Sequence, residues 1–305
     1  SSLFTLLLML LSNAAVANDS SPYLYVLGSA QDAGHPQAGC YQPHCMRAWK
    51  DPALREPATS LGLIDPRGKR KYLFEATPNL PEQLYQLQLE APSDAYRLKG
   101  IFLTHAHMGH YTGLVHLGHE AMGADQIPVF AMPRMYEFLE SNGPWSQLVA
   151  YENIKLKSLK NRSAVTLGDL RVTPIEVPHR DEYSETVGYQ IDGPDKSAIF
   201  IPDINSWDSW ELDLAAIVAA RDYALIDATF YSADELPGRE RSQFPHPLVT
   251  DTMKRLSKLS KEDRDKVWFI HLNHSNPLLD PNSKASKKVE SRGFNIARRG
   301  LRLPL

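Results

Sequence analysis

An excess of positive charge is missing from this chain. Its 305 residues carry 33 Lys and Arg against 36 Asp and Glu, a formal net charge of -3. A surface without a basic surplus does not neutralise a phosphate backbone, so long nucleic acid is not an expected partner, whereas a small-molecule substrate is. Cysteine is scarce too: Cys40 and Cys45 are the only two, too few for a disulfide-stapled scaffold. No apolar run reaches the roughly 20 residues that a membrane-crossing helix needs, so no stable membrane span is expected. Repeats, low-complexity stretches and linkers are lacking as well, which favours one compact domain over residues 18–305. Hydrophobic residues, at 43%, suffice for a sizeable core. Composition leaves a monomer and a homodimer both open.

Residues 1–17 depart from this polar balance. They carry no charge, run apolar from Leu3 to Leu11 and finish on Ala15-Val16-Ala17, a small-x-small pattern. The segment reads as a secretory signal peptide, with a buried N-terminal helix as the alternative. Export implies a periplasmic or secreted protein. In such a compartment Cys40 and Cys45 have two readings, a local disulfide or metal ligation.

Apolar patterning organises the remainder. Strands are predicted at residues 23–29, 60–64, 71–75, 100–104, 127–131, 171–177, 187–191, 197–201, 223–227 and 267–271. The second and third form a hairpin around Asp65-Pro66-Arg67-Gly68. Helical spacing occurs over 81–89, 111–122, 133–141, 212–221 and 249–259. Strands open each half and helices intervene, which gives an α+β class and suggests a layered αββα arrangement.

Five separated segments end a predicted strand in histidine or aspartate: His105-Ala106-His107-Met108-Gly109-His110, then His179, Asp203, Asp227 and His271. Three histidines within six residues of a Gly-containing turn are costly unless they bind something. Neutral imidazoles and carboxylates are the ligands that borderline divalent ions such as Zn²⁺ take, in sites that keep a position open for water. Taken singly, a strand-end His or Asp serves equally well as a cap or turn residue. Their order and spacing favour ligation. Asp32 and Asp227 can each hold a ligand histidine in place or close a turn or strand. Trp145, Trp207, Trp210 and Tyr231 read as core or rim packing.

The order His-x-His-x-x-His, His, Asp, His resembles that of the metallo-β-lactamase fold hydrolases, over residues 23–279. The opening Val26-Leu27-Gly28-Ser29-Ala30-Gln31-Asp32-Ala33-Gly34, the Cys40/Cys45 loop and the closing His271-Leu272-Asn273-His274-Ser275-Asn276-Pro277 resemble pyrroloquinoline quinone biosynthesis protein B. They are also similar to the cyclic phosphodiesterases of phosphonate breakdown. The resemblance implies a four-layered αββα sandwich with a metal site at one edge of the paired sheets. It implies His105, His107 and His179 on a first metal, His110 and His271 on a second, and Asp203 bridging both. These relatives usually carry an Asp where this chain has Gly109, a departure expected to weaken the second site. One or two Zn²⁺ are implied, with Mn²⁺ or Fe as alternatives. Cys40, Cys45 and His274, with His44 standing in for a Cys replaced by Gln42, match a structural metal set.

Zn²⁺ lowers the pKa of a bound water from about 15.7 to about 7 and polarises a carbonyl or phosphoryl oxygen. A leaving group then needs a proton. His246, in Phe244-Pro245-His246-Pro247 before a helix, resembles the helix-start histidine that related phosphodiesterases place near the scissile bond, and its titration range suits general acid work. Catalytic roles are therefore expected for Asp203 and His246, in a hydrolase acting on a small phosphodiester. Lactone or β-lactam hydrolysis is one alternative. A non-hydrolytic protein of quinone cofactor biosynthesis or binding is the other.

Overall fold

A computed structural model describes residues 21–305 except 181, 236, 239, 241 and 242. The segment expected to be a signal peptide lies outside the described residues. The N-terminal half contains β1 (Tyr23–Gly28), α1 (Pro43–Lys50), β2 (Ser60–Asp65), β3 (Arg70–Phe74), α2 (Leu80–Glu90), β4 (Arg97–Phe102), α3 (Met108–Tyr111), β5 (Ile127–Ala131), α4 (Pro133–Ser141), α5 (Trp145–Ala150) and β6 (Ile154–Ser158). The C-terminal half contains β7 (Val165–Leu167), β8 (Leu170–Glu176), β9 (Val187–Asp192), β10 (Ser197–Ile201), α6 (Leu214–Ala220), β11 (Tyr223–Asp227), α7 (Val249–Arg255), α8 (Lys261–Asp265), β12 (Val267–Ile270), α9 (Lys284–Ser291), β13 (Asn295–Ile296) and β14 (Arg302–Pro304).

Two seven-stranded sheets result, ordered β14-β1-β2-β3-β4-β5-β6 and β13-β12-β11-β10-β9-β8-β7. Each runs antiparallel along one part and parallel along the other, the change falling at β3/β4 in the first sheet and at β10/β11 in the second. Strand β14 returns to pair with β1, so the end of the chain closes the edge of the N-terminal sheet.

Alternation explains the layering. In β3, Tyr72 and Phe74 enter the core between the sheets while Leu73 turns to the helices; in β10, Ala198 and Phe200 face the same core while Ile199 and Ile201 face the other way. A period of two places successive side chains on opposite faces, and strands buried on both faces need apolar residues at every position. Phe74 stacks on Phe102 at 5.2 Å and meets Phe200 across the sheets at 6.1 Å. Helices α2, α4 and α5 cover the first sheet through Leu80, Leu87, Met135, Leu139 and Leu148. Helices α6, α7 and α9 cover the second through Leu214, Val218, Val249 and Val289. The expected αββα sandwich is present.

One predicted helix is largely replaced. Residues 111–122 hold only the end of α3, a 3₁₀ segment over Thr112–Leu117 and turns. Gly113 sits so close to the 76–77 backbone that a Cβ would collide with the Thr77 carbonyl oxygen, and a regular helix would not fit that approach. Helices predicted at 212–221 and 249–259 are shorter, the latter passing into a 3₁₀ turn at Leu256–Lys258. Among the described residues no helix is long and apolar enough to cross a membrane.

Candidate metal centre

All five strand-end segments arrive at the same edge of the sandwich. His105 follows β4, His179 follows β8, Asp203 follows β10, Asp227 ends β11 and His271 follows β12. Their neighbours in the sheets fix the register, so the side chains converge without any local motif linking them.

His105 Nε2 and His179 Nε2 lie 2.9 and 3.2 Å from His107 Nδ1, and 3.4 and 3.1 Å from Asp203 Oδ2. The outward nitrogens are occupied. His179 Nδ1 donates to Asn205 Oδ1 at 2.8 Å, His107 Nε2 donates to Glu182 Oε2 at 3.2 Å, and His105 Nδ1 stands 2.8 Å from Thr104 Oγ1. With protons directed outward, the inward nitrogens present lone pairs to one another, an arrangement that a cation resolves. Burial, reinforced by His110, holds His105 well below the ordinary imidazole range, and burial with His179 lowers His107. Both shifts favour the neutral imidazole, the form that can ligate a metal.

A second group lies beside it. His110 Nε2 and His271 Nε2 are 3.0 and 3.2 Å from Asp32 Oδ1, and His110 Nε2 is 3.8 Å from Asp203 Oδ2. His271 Nδ1 donates to Thr229 Oγ1 at 3.0 Å, and that hydroxyl donates to Asp227 Oδ1 at 2.7 Å. Burial would lower His110, but Glu75 and Asp32 outweigh it and raise this histidine well above its usual range, a measure of how strongly the position attracts positive charge. Asp203 is shared. Burial would raise its carboxyl, yet His179, His246 and His105 hold it well below the usual carboxylate range.

His246 joins through its Nδ1, 3.2 Å from Asp203 Oδ1 and 3.0 Å from Asp227 Oδ2. Burial acts against its charged form, but Asp227 and Asp203 raise it to about 9. The histidine also borders a cavity of about 910 Å³, with Asn205, Trp207, Lys254 and Arg255 among its walls. The ligand atoms of His105/His107/His179/Asp203, of Asp32/His110/Asp203/His271 and of Asp203/Asp227/His246 each lie within 4.8 Å of one another. These donor sets suit a metal cofactor, with zinc compatible.

The family profile of the beta-lactamase superfamily domain matches residues 70–272, which bring with them every histidine of the two main groups. The chain belongs to this superfamily. Two relatives, both named coenzyme PQQ synthesis protein B, are each 25% identical to it over 306 residues. That of Xanthomonas campestris pv. campestris aligns with 92% of this chain and 99% of its own; that of Methylorubrum extorquens aligns with 93% and 100%. The crystal structure of Zn²⁺-bound PqqB from Methylobacterium extorquens superposes with a TM-score of 0.77 at 23% identity, over 93% of this chain and 100% of that one. A diphosphatase of the PhnP family superposes at 0.64 with 20% identity, over 93% and 97%. Both superpositions support the metallo-β-lactamase sandwich.

Within this superfamily member the structure brings together His105, His107, His110, His179, Asp203 and His271, as the strand-end pattern predicts, and His246, expected from the resemblance, lies beside Asp203 and Asp227. Asp32 and Asp227, left open between turn and ligand support, both face the centre. Glu75 is the residue the strand pattern conceals. It directly follows β3, is fully buried, and has a backbone φ of 75° that turns its Oε2 to 3.3 Å from His110 Nδ1. An acid at the end of an apolar strand is its one signal in the sequence.

Away from the centre, Cys40 and Cys45 are joined in a disulfide. His44 Nε2 lies 3.5 Å from Cys40 Sγ and the rings of His44 and His274 are 5.7 Å apart. The four residues expected as a structural metal set are thus neighbours, with potential ligand atoms within 4.8 Å. In the disulfide state, however, there is no thiolate to ligate an ion. Trp207 and Trp210 pack in the core, their indole N–H groups donating to Thr252 Oγ1 and the Glu176 carbonyl.

Proposed function

We propose that this protein is an exported, metal-dependent hydrolase that cleaves a small phosphodiester. His105, His107, His179 and Asp203 would hold one ion, and His110 and His271 would hold a second that shares Asp203. The bound metal supplies Lewis acidity, drawing the ionisation of water towards neutral pH and polarising a phosphoryl oxygen. The remaining work falls to the chain's own residues. Asn205 and Glu182 hold His179 and His107 in orientation, and the hydroxyl of Thr229 couples His271 to Asp227.

The position of His246 carries the reading. Its Nδ1 is anchored on Asp203 and Asp227 while the ring borders the 910 Å³ cavity, so its Nε2 is the atom available to give a proton to a leaving oxygen. Lys254 and Arg255 line the same cavity, together with Asp208 and Asp251. Turnover of bis-nitrophenyl phosphate, nitrocefin and homoserine lactones should be compared with zinc or manganese added. Phosphodiester turnover is expected, and hydrolysis of only the lactone or lactam would overturn the phosphodiester assignment.

A second reading follows from the relatives named for PQQ synthesis, which align with 92% of this chain. In it the same centre binds or processes a quinone-type cofactor without hydrolysis. Absence of turnover with all three substrates, together with saturable binding of pyrroloquinoline quinone, would favour it.

A further inference from the structure

We infer that Asp32 is the anionic ligand of the second metal, reaching from the first loop into the space that the missing side chain at position 109 leaves free. The inference rests on the reading of this edge as a metal centre.

Three observations carry it. First, Asp32 Oδ1 stands 3.0 Å from His110 Nε2 and 3.2 Å from His271 Nε2. The other nitrogens of these two rings are directed at Glu75 and Thr229, so the edges that Asp32 meets are the ones available for ligation.

Second, Gly109 and Asp32 exclude each other's alternatives. A Cβ on Gly109 would collide with Asp32 Cα and lie 2.5 Å from its Cβ and 2.7 Å from its Cγ. No side chain at 109 coexists with this loop conformation. A carboxylate is therefore absent from the 105–110 turn for the same reason that one is present from the loop. The expected weakening of the second site by Gly109 is offset by a group 77 positions earlier in the chain.

Third, the loop is built to hold Asp32 in register with His271. Gln31 N donates to the Leu272 carbonyl at 2.8 Å, and Leu272 N donates to Ser29 O at 2.8 Å, so residues on either side of Ala30 pair with the residue next to His271. Ala30 N is fixed to Pro57 O at 3.1 Å, and Gly34 N closes a turn on Gln31 O at 2.8 Å. Among the described residues, the ion pairs of Asp32, Glu75 and Asp203 are all to histidine. Carboxylates gathered in a largely buried site, with only histidines as ion-pair partners among the described residues, favour a bound cation.

The test is a titration of the chelator-stripped, oxidised protein with Co²⁺ or Zn²⁺, reading ions bound per chain and their affinities by calorimetry and elemental analysis. The wild type should bind two ions at the centre. Asp32→Ala and the isosteric Asp32→Asn should keep the first and bind the second about 100-fold or more weakly, at or beyond the upper end of the effect of losing a supporting partner. Gly109→Ala should reproduce this loss although position 109 offers no ligand, because its methyl displaces the loop. Unchanged affinity for both ions in Asp32→Asn, or loss of both, would overturn the inference alone. A wild type that takes up no ion would overturn the metal-centre reading, and the role of Asp32 with it.

Discussion

Glu75 Oε2 lies 3.3 Å from Nδ1 of His110, and Asp32 Oδ1 lies 3.0 Å from Nε2 of the same ring, so one imidazole is held between two carboxylates. Rotation of the ring would separate it from Glu75, a fully buried carboxylate whose ion pair among the described residues is to this histidine, whereas Asp32 also meets His271 at 3.2 Å. The ring's Nδ1 thereby faces Glu75 and its Nε2 faces Asp32.

Replacing Glu75 with glutamine keeps the shape and removes the charge. Metal affinity at the second position is expected to fall about 10- to 100-fold, the usual consequence of losing a carboxylate behind a ligating histidine. Competition with a chromophoric chelator measures this, and an affinity equal to that of the wild type would show that Glu75 is only a packing residue.

His246→Gln addresses proton delivery. General acid catalysis contributes about 10²- to 10⁴-fold, and it matters most for a poor leaving group. The loss in kcat should therefore approach that range for an alkyl phosphodiester and be much smaller for a nitrophenyl ester, whose leaving oxygen needs no proton. Metal content should be unchanged. An equal loss on both substrates would assign His246 to binding or positioning instead.

The contrast between these residues shows what is legible in the sequence. His105, His179, Asp203 and His271 each follow a short apolar strand, and a buried strand ending abruptly in a ligand-type residue is readable without knowing its neighbours. Glu75 and Asp32 act on His110 from strands and loops that only the sheet order brings near: β3 pairs with β4, and the loop after β1 bridges to Leu272. Such partners are non-local and have no period, so Asp32 reads equally as a turn residue or as support for a ligand histidine, and Glu75 as the last residue of a hairpin strand. The 111–122 segment misleads for a related reason, since its apolar spacing is helical while Gly113 is committed to a close backbone approach.

The joint between the sheets is open to a simpler measurement. Phe74 has no exposed surface and its ring meets Phe102, Tyr189 and Phe200 at 5.2, 5.3 and 6.1 Å. Phe74→Ala removes a large side chain from a site walled by both sheets, where collapse to fill the void is restricted. A loss of about 3–5 kcal/mol is expected in urea unfolding, and a loss below about 1 kcal/mol would mean that the two sheets close over the gap.

Acid sensitivity should have a component in a buried histidine outside the two metal groups. His35 is buried with its Nδ1 unpaired, its backbone pairs with Glu56, and burial together with His44 and His274 lowers its pKa from 6.5 to about 4. Between these two values the unfolded chain binds the proton and the folded chain does not, so stability rises with pH in that window and falls as pH drops from about 6.5 towards 4. The full difference corresponds to about 3 kcal/mol. Urea unfolding of the oxidised, chelator-treated protein at pH 7 and pH 4.5 should show most of this loss in the wild type. His35→Leu should show a correspondingly flatter pH dependence over the same interval. If the two proteins lose equal stability, His35 is protonated without penalty and the acid response arises from other groups.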